Sequence, residues 1–227
     1  MATFDEIWAR RYENPKYRNV YPYTEVVSFV FRNAPQKPRA ETHILEIGCG
    51  TGNNLWFAAR EGFSASGIDA SETAINFAKN RFASEGLKAD LRVGDFTKLP
   101  FDDCKFDLAF ERAALSLTTR DGAIATVSEL RRVLRPDALF QFSLYSDQDS
   151  SFYRIPDDDG SVRDITVGQL QDGQIRFYSL NDVRELFREW TIERLKLIQE
   201  TDMTRPERVV HSYWLGVARN GSADLKS

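Results

Sequence analysis

The 227-residue sequence predicts an α/β fold, with a parallel sheet covered by helices on both faces. Two observations predict it. From residue 43 to residue 145, short apolar runs alternate with helical periods, the pattern of right-handed βαβ units. The first run, His43-Ile44-Leu45-Glu46-Ile47, gives way to a glycine turn where a helical period begins. The length suits one substantial domain that buries its core without disulfides or a structural metal.

Residues 4–32 read as one or two helical stretches rich in aromatics, with boundaries at Asn14-Pro15 and Tyr21-Pro22. Residues 34–38, with prolines at both ends of Pro35-Gln36-Lys37-Pro38, form a linker. Residues 1–40 are therefore expected to be an N-terminal helical cap on a domain spanning 41–220. Strands follow at 43–47, 63–68, 91–93, 106–110 and 138–144. Helices are placed at 53–61, at 71–84 with Ser71 as N-cap, and at 122–134, ended by Arg135-Pro136. The polar segment 146–178 is read as an insertion covering a substrate. A helix over 179–190 and strands at 191–201 and 211–219 close the fold, with Asn220 onward read as a tail (221–227 in the domain division).

The formal net charge of −4 gives no basic field to attract nucleic acid, so such a partner is disfavoured. No apolar run approaches the roughly 20 residues a membrane helix needs. The first residues carry no basic stretch followed by an apolar run, so they do not read as an export signal. Cys49 and Cys104 form no CxxC pair, and His43 and His211 are too scattered for a metal site. A cytoplasmic protein with free thiols and no metal is expected, as a monomer or homodimer.

Three elements carry chemistry. Glu46-Ile47-Gly48-Cys49-Gly50-Thr51-Gly52 lies where a strand passes into a helix, and glycines there let the backbone approach a ligand. Asp69 ends the next strand, 19 residues after Gly50. A carboxylate there accepts the hydroxyls of an adenosine ribose; the alternative is a helix cap alone. Gly94-Asp95-Phe96 follows the third strand, where Asp95 can take an adenine amino group and Phe96 can border the ring. Together they describe an adenosine site. A dinucleotide is disfavoured, because Asn53 stands where the G-x-G-x-x-G fingerprint wants its third glycine.

Those residues, with Leu99-Pro100-Phe101, Phe106-Asp107-Leu108-Ala109 and the run Glu129 to Pro136, resemble the motif series of class I S-adenosylmethionine-dependent methyltransferases over residues 40–145. The resemblance implies a doubly wound, Rossmann-like sheet of seven strands, mostly parallel, with the last strand antiparallel. It implies S-adenosylmethionine as cofactor, its methionine part lined by Gly48, Gly50 and Gly52, with Cys49 and Asn53 beside them. Glu46 would organise the loop or meet the cofactor's amino group. Asp69 would hold the ribose, Ala70 would lie against adenine, and Asp95 with Phe96 would hold its rim. Glu111 matches the position closing over the methionine end. Pro136-Asp137-Ala138 departs from the family's proline and two glycines.

Methyl transfer from a sulfonium is an in-line displacement that needs alignment first, and a base only for a hydroxyl or a protonated amine. Substrate-side candidates are Glu111, Arg112, Ser116 and Tyr145. Arg112 would either bind an acceptor carboxylate or phosphate, or pair internally with Glu111 or another acid. Phe152, Tyr153, Arg154, Arg163, Arg176, Phe177 and Tyr178 are candidate acceptor lining, and Trp8, Tyr12 and Tyr21 are candidate closures over the cofactor. No Asn/Asp-Pro-Pro-Tyr stretch follows the fourth strand, and neither cysteine is placed as a pyrimidine nucleophile. A small-molecule acceptor is favoured over protein or RNA, and over a non-catalytic adenosine-binding role.

Overall fold

The computed structural model describes residues 7–153, 161–162, 175–204 and 209–221. Its elements are α1 (Ile7–Glu13), α2 (Thr24–Asn33), β1 (His43–Ile47), α3 (Asn53–Arg60), β2 (Ser64–Asp69), α4 (Glu72–Ser84), β3 (Asp90–Val93) and β4 (Phe106–Phe110). They continue with α5 (Arg120–Val133), β5 (Leu134–Tyr145), β6 (Ser161–Val162), β7 (Ile175–Arg176), α6 (Leu180–Leu186), β8 (Thr191–Thr201) and β9 (Val210–Arg219).

Seven strands form one sheet in the order β3-β2-β1-β4-β5-β9-β8. The pairs among β1 to β5 are parallel, whereas β9 runs antiparallel to both β5 and β8. This is the doubly wound sheet, with its last strand antiparallel, that the sequence led us to expect. Strand order reverses between β1 and β4, so a crevice opens at the carboxyl ends of those strands, where ligands bind in open α/β sheets.

The sheet separates two apolar layers. Leu45, Ile47, Phe140 and Phe142 pack on one face with Leu130 of α5, Val183 of α6 and Phe187 just after it. Ile44, Leu108 and Leu139 pack on the other with Phe29, Leu55 and Ile75 from α2, α3 and α4. Burial on both faces is what the near-continuous apolar strands require. At the β5–β9 pairing Phe142 faces Gly216, and a Cβ at Gly216 would lie 2.1 Å from the Phe142 ring. That ring stacks on Phe187 at 4.1 Å between centroids, so it has nowhere to retreat. Gly216→Ala should therefore cost roughly 1–3 kcal/mol by overpacking, seen as a lower denaturant midpoint at unchanged slope. A midpoint equal to wild type would show that the ring yields freely.

The element limits differ from expectation by two or more residues in three elements, each with a local cause. Helix α5 begins at Arg120 rather than Gly122, because the Thr119 side chain accepts the Gly122 amide at 3.1 Å and caps it. Strand β5 begins at Leu134, directly after α5, although Arg135-Pro136 reads as a stop. The register slips opposite Phe106 and Leu108, and Asp137 takes φ +63°, so the strand carries a bulge that accommodates the proline. Asn220 closes that bulge: its side chain donates to the carbonyls of Arg131, Leu134 and Arg135, and it is buried rather than frayed. Finally, α6 is shorter than expected: a capping box of Ser179 and Asp182 sets its start at Leu180, and the Phe187 amide closes its end on the carbonyls of Glu185 and Val183. Ser71 caps α4 as expected, accepting the Ala74 amide at 3.2 Å. Among the described residues no helix is long and apolar enough to cross a membrane.

Candidate cofactor and acceptor site

A cavity of about 610 Å³ lies at the carboxyl ends of β1, β2 and β4, within the usual range for small-molecule sites. Its floor is the loop Gly48 to Thr51 with Glu46 and Asn53, and one end holds Asp69, Ala70 and Phe96. Arg112, Ala113, Ala114, Leu117 and Tyr145 form an adjoining wall, and residues between Tyr12 and Tyr23 line the cavity from the N-terminal segment.

The loop is built by conformations that disfavour side chains. Gly48 and Gly50 take φ +61° and +51°. A Cβ at Gly48 would meet Ala114 Cβ at 2.5 Å, and one at Gly50 would meet the Tyr12 hydroxyl at 2.6 Å. Asp69 anchors this turn. Its Oδ2 accepts the Gly50 amide at 2.8 Å and its Oδ1 accepts the Ser71 amide at 2.8 Å. The carboxylate is 7% exposed, and burial raises its pKa despite those two amides. Four lone-pair directions serve two donors, so acceptor capacity remains for hydroxyls.

Glu46 is 2% exposed. Its Oε1 accepts the Asn54 side-chain amide at 2.7 Å, while its Oε2 is buried with no hydrogen-bond partner among the described residues. Burial pushes its pKa well above the ordinary carboxylate range; the Asn54 bond opposes this, and nearby Asp69 and Glu111 add to it. A buried carboxylate oxygen without a donor invites a cation or an N–H from a ligand.

The N-terminal segment is stitched to the loop by backbone groups. The Thr51 hydroxyl donates to Asn19 O at 2.9 Å, and the Asn53 side chain donates to Tyr21 O at 2.9 Å. The Tyr23 amide donates to Asn54 Oδ1 at 3.0 Å, and Arg18 Nε donates to Tyr12 O at 2.6 Å. Of the three aromatics expected to close the site, Tyr12 lines the cavity, its phenol pKa raised by burial and by Asp69. Tyr21 is 70% exposed and contributes only its carbonyl. The Trp8 side chain lies outside the described residues.

The sequence-derived site residues divide. Glu46, Gly48, Cys49, Gly50, Asn53, Asp69, Ala70, Phe96, Arg112 and Tyr145 all line the one cavity. Gly52, Asp95 and Glu111 do not. Gly52 takes φ +72° at the start of α3, and a Cβ there would lie 3.1 Å from Ala78 of α4, so it serves helix packing. Asp95 is exposed and folds back to accept the Thr97 amide at 2.8 Å. Ser116 is buried and accepts the Tyr145 amide at 3.0 Å.

Glu111 sits beneath the wall, 1% exposed, accepting the amides of Ser143 at 2.5 Å and Leu115 at 3.2 Å. It pins the turn after β4 to β5. Burial outweighs these amides and the charge of Arg112, and its pKa is pushed up to about 7. A carboxyl raised above its ordinary value favours the folded state while protonated. Its contribution is thus complete below the ordinary range and is lost as pH rises through about 7. The ligand-free protein should melt at progressively lower temperature from pH 5 to pH 8, and Glu111→Gln should flatten that slope. A slope unaltered in Glu111→Gln would assign the effect elsewhere.

Beside Arg112 in the lining, the Tyr145 phenol is pushed up to about 12, mainly by burial. Tyr145 packs with Phe177, which packs in turn with Phe152. The Tyr178 hydroxyl instead donates to Leu115 O at 2.8 Å, bracing the wall. Arg176 is buried at the start of that bracing stretch. Arg154, Arg163 and the Tyr153 side chain lie outside the described residues. The sequence reading missed Asn54, which joins Glu46 to the N-terminal segment. Two adjacent amides opening a helix with an apolar stripe were the available signal. It also missed the pair Asp149–His211 at 3.0 Å, whose imidazole lies 5.5 Å from the Tyr145 ring. Burial would raise the Asp149 pKa, but hydrogen bonds from His211, Ser151 and Ser212 bring it below its ordinary value.

A glycine loop after β1, an acid closing β2 and a seven-stranded sheet with one reversed strand are the features of the class I S-adenosylmethionine-dependent methyltransferase fold. Residues 44–137 match the family model of a methyltransferase domain. It is 33% identical over 136 residues to a fatty-acid O-methyltransferase of Mycolicibacterium smegmatis, covering 59% of this chain and 47% of that one. A putative methyltransferase of Bacillus subtilis, YqeM, is 28% identical over 55% of this chain and 49% of its own length. The chain thus spans about half the length of these curated relatives. A solved S-adenosylmethionine-dependent methyltransferase from Methanosarcina mazei superposes with TM-score 0.70 at 22% identity, covering 89% and 99% of the two chains, and shows the shared fold.

Proposed function

We propose that this chain transfers a methyl group from S-adenosylmethionine to a small-molecule acceptor by in-line displacement. The observation that carries the reading is Glu46 Oε2, a buried acceptor without a donor, on the floor of a cavity that also holds Asp69. The residues present fit the cofactor. Glu46 would take its ammonium, the backbone of Gly48 and Gly50 would pass close to its methionine part, and Asp69 would accept its ribose hydroxyls. Ala70 and Phe96 would border adenine. Bound there, the cofactor supplies an activated methyl on a sulfonium. The protein's part is to exclude water and align the acceptor along the Arg112–Tyr145 wall, where alignment alone supplies several kcal/mol, on the order of 7–11 at best.

The fatty-acid O-methyltransferase and a sterol 4-C-methyltransferase of Caenorhabditis elegans, 30% identical over 43% of this chain, support a small-molecule acceptor. We assign residues 1–40 as a cap and 146–178 as an acceptor cover on the domain 41–220; residues 1–6, 154–160 and 163–174 of these lie outside the described residues. Free Cys49 and Cys104 suit a reducing cytoplasm, and the net charge of −4 disfavours nucleic acid for a monomer or homodimer. The test is a metabolite screen with S-adenosylmethionine that follows S-adenosylhomocysteine release and product mass. At least one small molecule should acquire a methyl group. Methylation confined to protein or RNA fractions would replace the small-molecule reading, and none in any fraction would remove the enzyme.

A further inference from the structure

Arg112 is held in an unusual state for a guanidinium. It lines the cavity beside Tyr145, with its side chain only 30% exposed. Its Nε is buried without a hydrogen-bond partner, and among the described residues the group donates no hydrogen bond at all. The ring of Tyr23 covers one face at 3.8 Å. Glu25 stands 3.5 Å from Nε, near enough to offset charge but outside hydrogen-bond geometry. Nε is shut in beside Glu25, while the other N–H groups of the fork are not among the buried unsatisfied atoms and stay available to a group in the cavity.

We propose that Arg112 is the receptor for a carboxylate carried by the methyl acceptor, so that the acceptor class is a small organic acid. The assignment rests on the methyltransferase reading above. A carboxylate matches the guanidinium fork in shape and charge, and Tyr23 fixes the plane of that fork. The position suits an acceptor, since Arg112 lines the same cavity as the glycine loop and lies beside Tyr23, with Tyr145 also in the lining. The cofactor's own carboxylate is the other source of such a group. Lys16 and Arg18, in the N-terminal segment that lines the same cavity, are the cations that would serve it. Glu25 competes with any anion for Arg112, so its removal has the opposite sign from removal of the arginine.

Calorimetric titration tests this with benzoate, phenylacetate, hexanoate and dodecanoate, each against its amide, with and without saturating S-adenosylhomocysteine. At least one acid should bind while its amide binds ~10-fold more weakly or worse. Arg112→Met should weaken the acid by ~10–100-fold, with Arg112→Lys intermediate and Glu25→Gln tightening it by ~3–10-fold. S-adenosylhomocysteine should bind Arg112→Met within ~3-fold of wild type, which also shows that the variant folds. Binding of no acid, equal binding of acid and amide, or loss of S-adenosylhomocysteine by Arg112→Met would each overturn the assignment. Failure of wild type to bind S-adenosylhomocysteine while an acid still binds through Arg112 would instead sink the methyltransferase reading alone.

Discussion

Replacing Asp69 with alanine is expected to weaken S-adenosylhomocysteine binding by on the order of a hundredfold or more. The carboxylate performs two tasks that one substitution removes. It accepts the Gly50 and Ser71 amides at 2.8 Å each, which holds the glycine turn against the end of β2. Its remaining lone pairs are the ones assigned to the ribose hydroxyls. Alanine strands two buried N–H groups, each costing about 1–3 kcal/mol, so the turn relaxes as the ligand loses its acceptors. Asp69→Asn separates the two tasks: it keeps the shape but points an NH₂ at one amide. It should fall between wild type and alanine in both melting temperature and affinity. An unchanged dissociation constant in Asp69→Ala would remove the ribose assignment.

The second large effect belongs to Glu46 and carries a pH signature. Burial raises its pKa, so the ligand-free site holds a proton there across part of the range in which a surface glutamate is ionised. The ammonium assigned to Oε2 favours the ionised form. Binding of S-adenosylmethionine should therefore release a proton at pH values between the ordinary carboxylate range and the raised value. Affinity should rise with pH until Glu46 is ionised in the free protein, and then level off. Glu46→Gln removes both the charge and the proton, so affinity should drop by ~10–100-fold and lose its pH dependence. Calorimetry in buffers of different ionisation enthalpy reads the proton directly. Equal heats in all buffers, with affinity unchanged in Glu46→Gln, would show that no cation rests on this carboxylate.

Much of this site was legible in the sequence because local rules placed it. Strand-to-helix turns have short-range signals, so Gly48, Gly50 and Asp69 could be assigned to one end of the sheet before any coordinates. Asp95 and Glu111 are placed outside the cavity lining for a different reason. Residue number fixes the strand end but not the rotamer, and both side chains turn to nearby backbone amides instead of the cavity. Gly52 reads like its neighbours in sequence, yet its positive φ serves packing against Ala78. The clamp formed by Asn19, Tyr21 and Tyr23 on Thr51, Asn53 and Asn54 depends on main-chain groups about 30 residues away, which no periodicity reports. The same long range hid the β5 bulge, because Asn220 and not the proline decides where that strand begins.

The most direct test is calorimetric titration of the wild-type chain with S-adenosylhomocysteine. One molecule bound per chain, displaced by S-adenosylmethionine, is the expected result. A folded protein that binds neither ligand would contradict the assignment of this cavity.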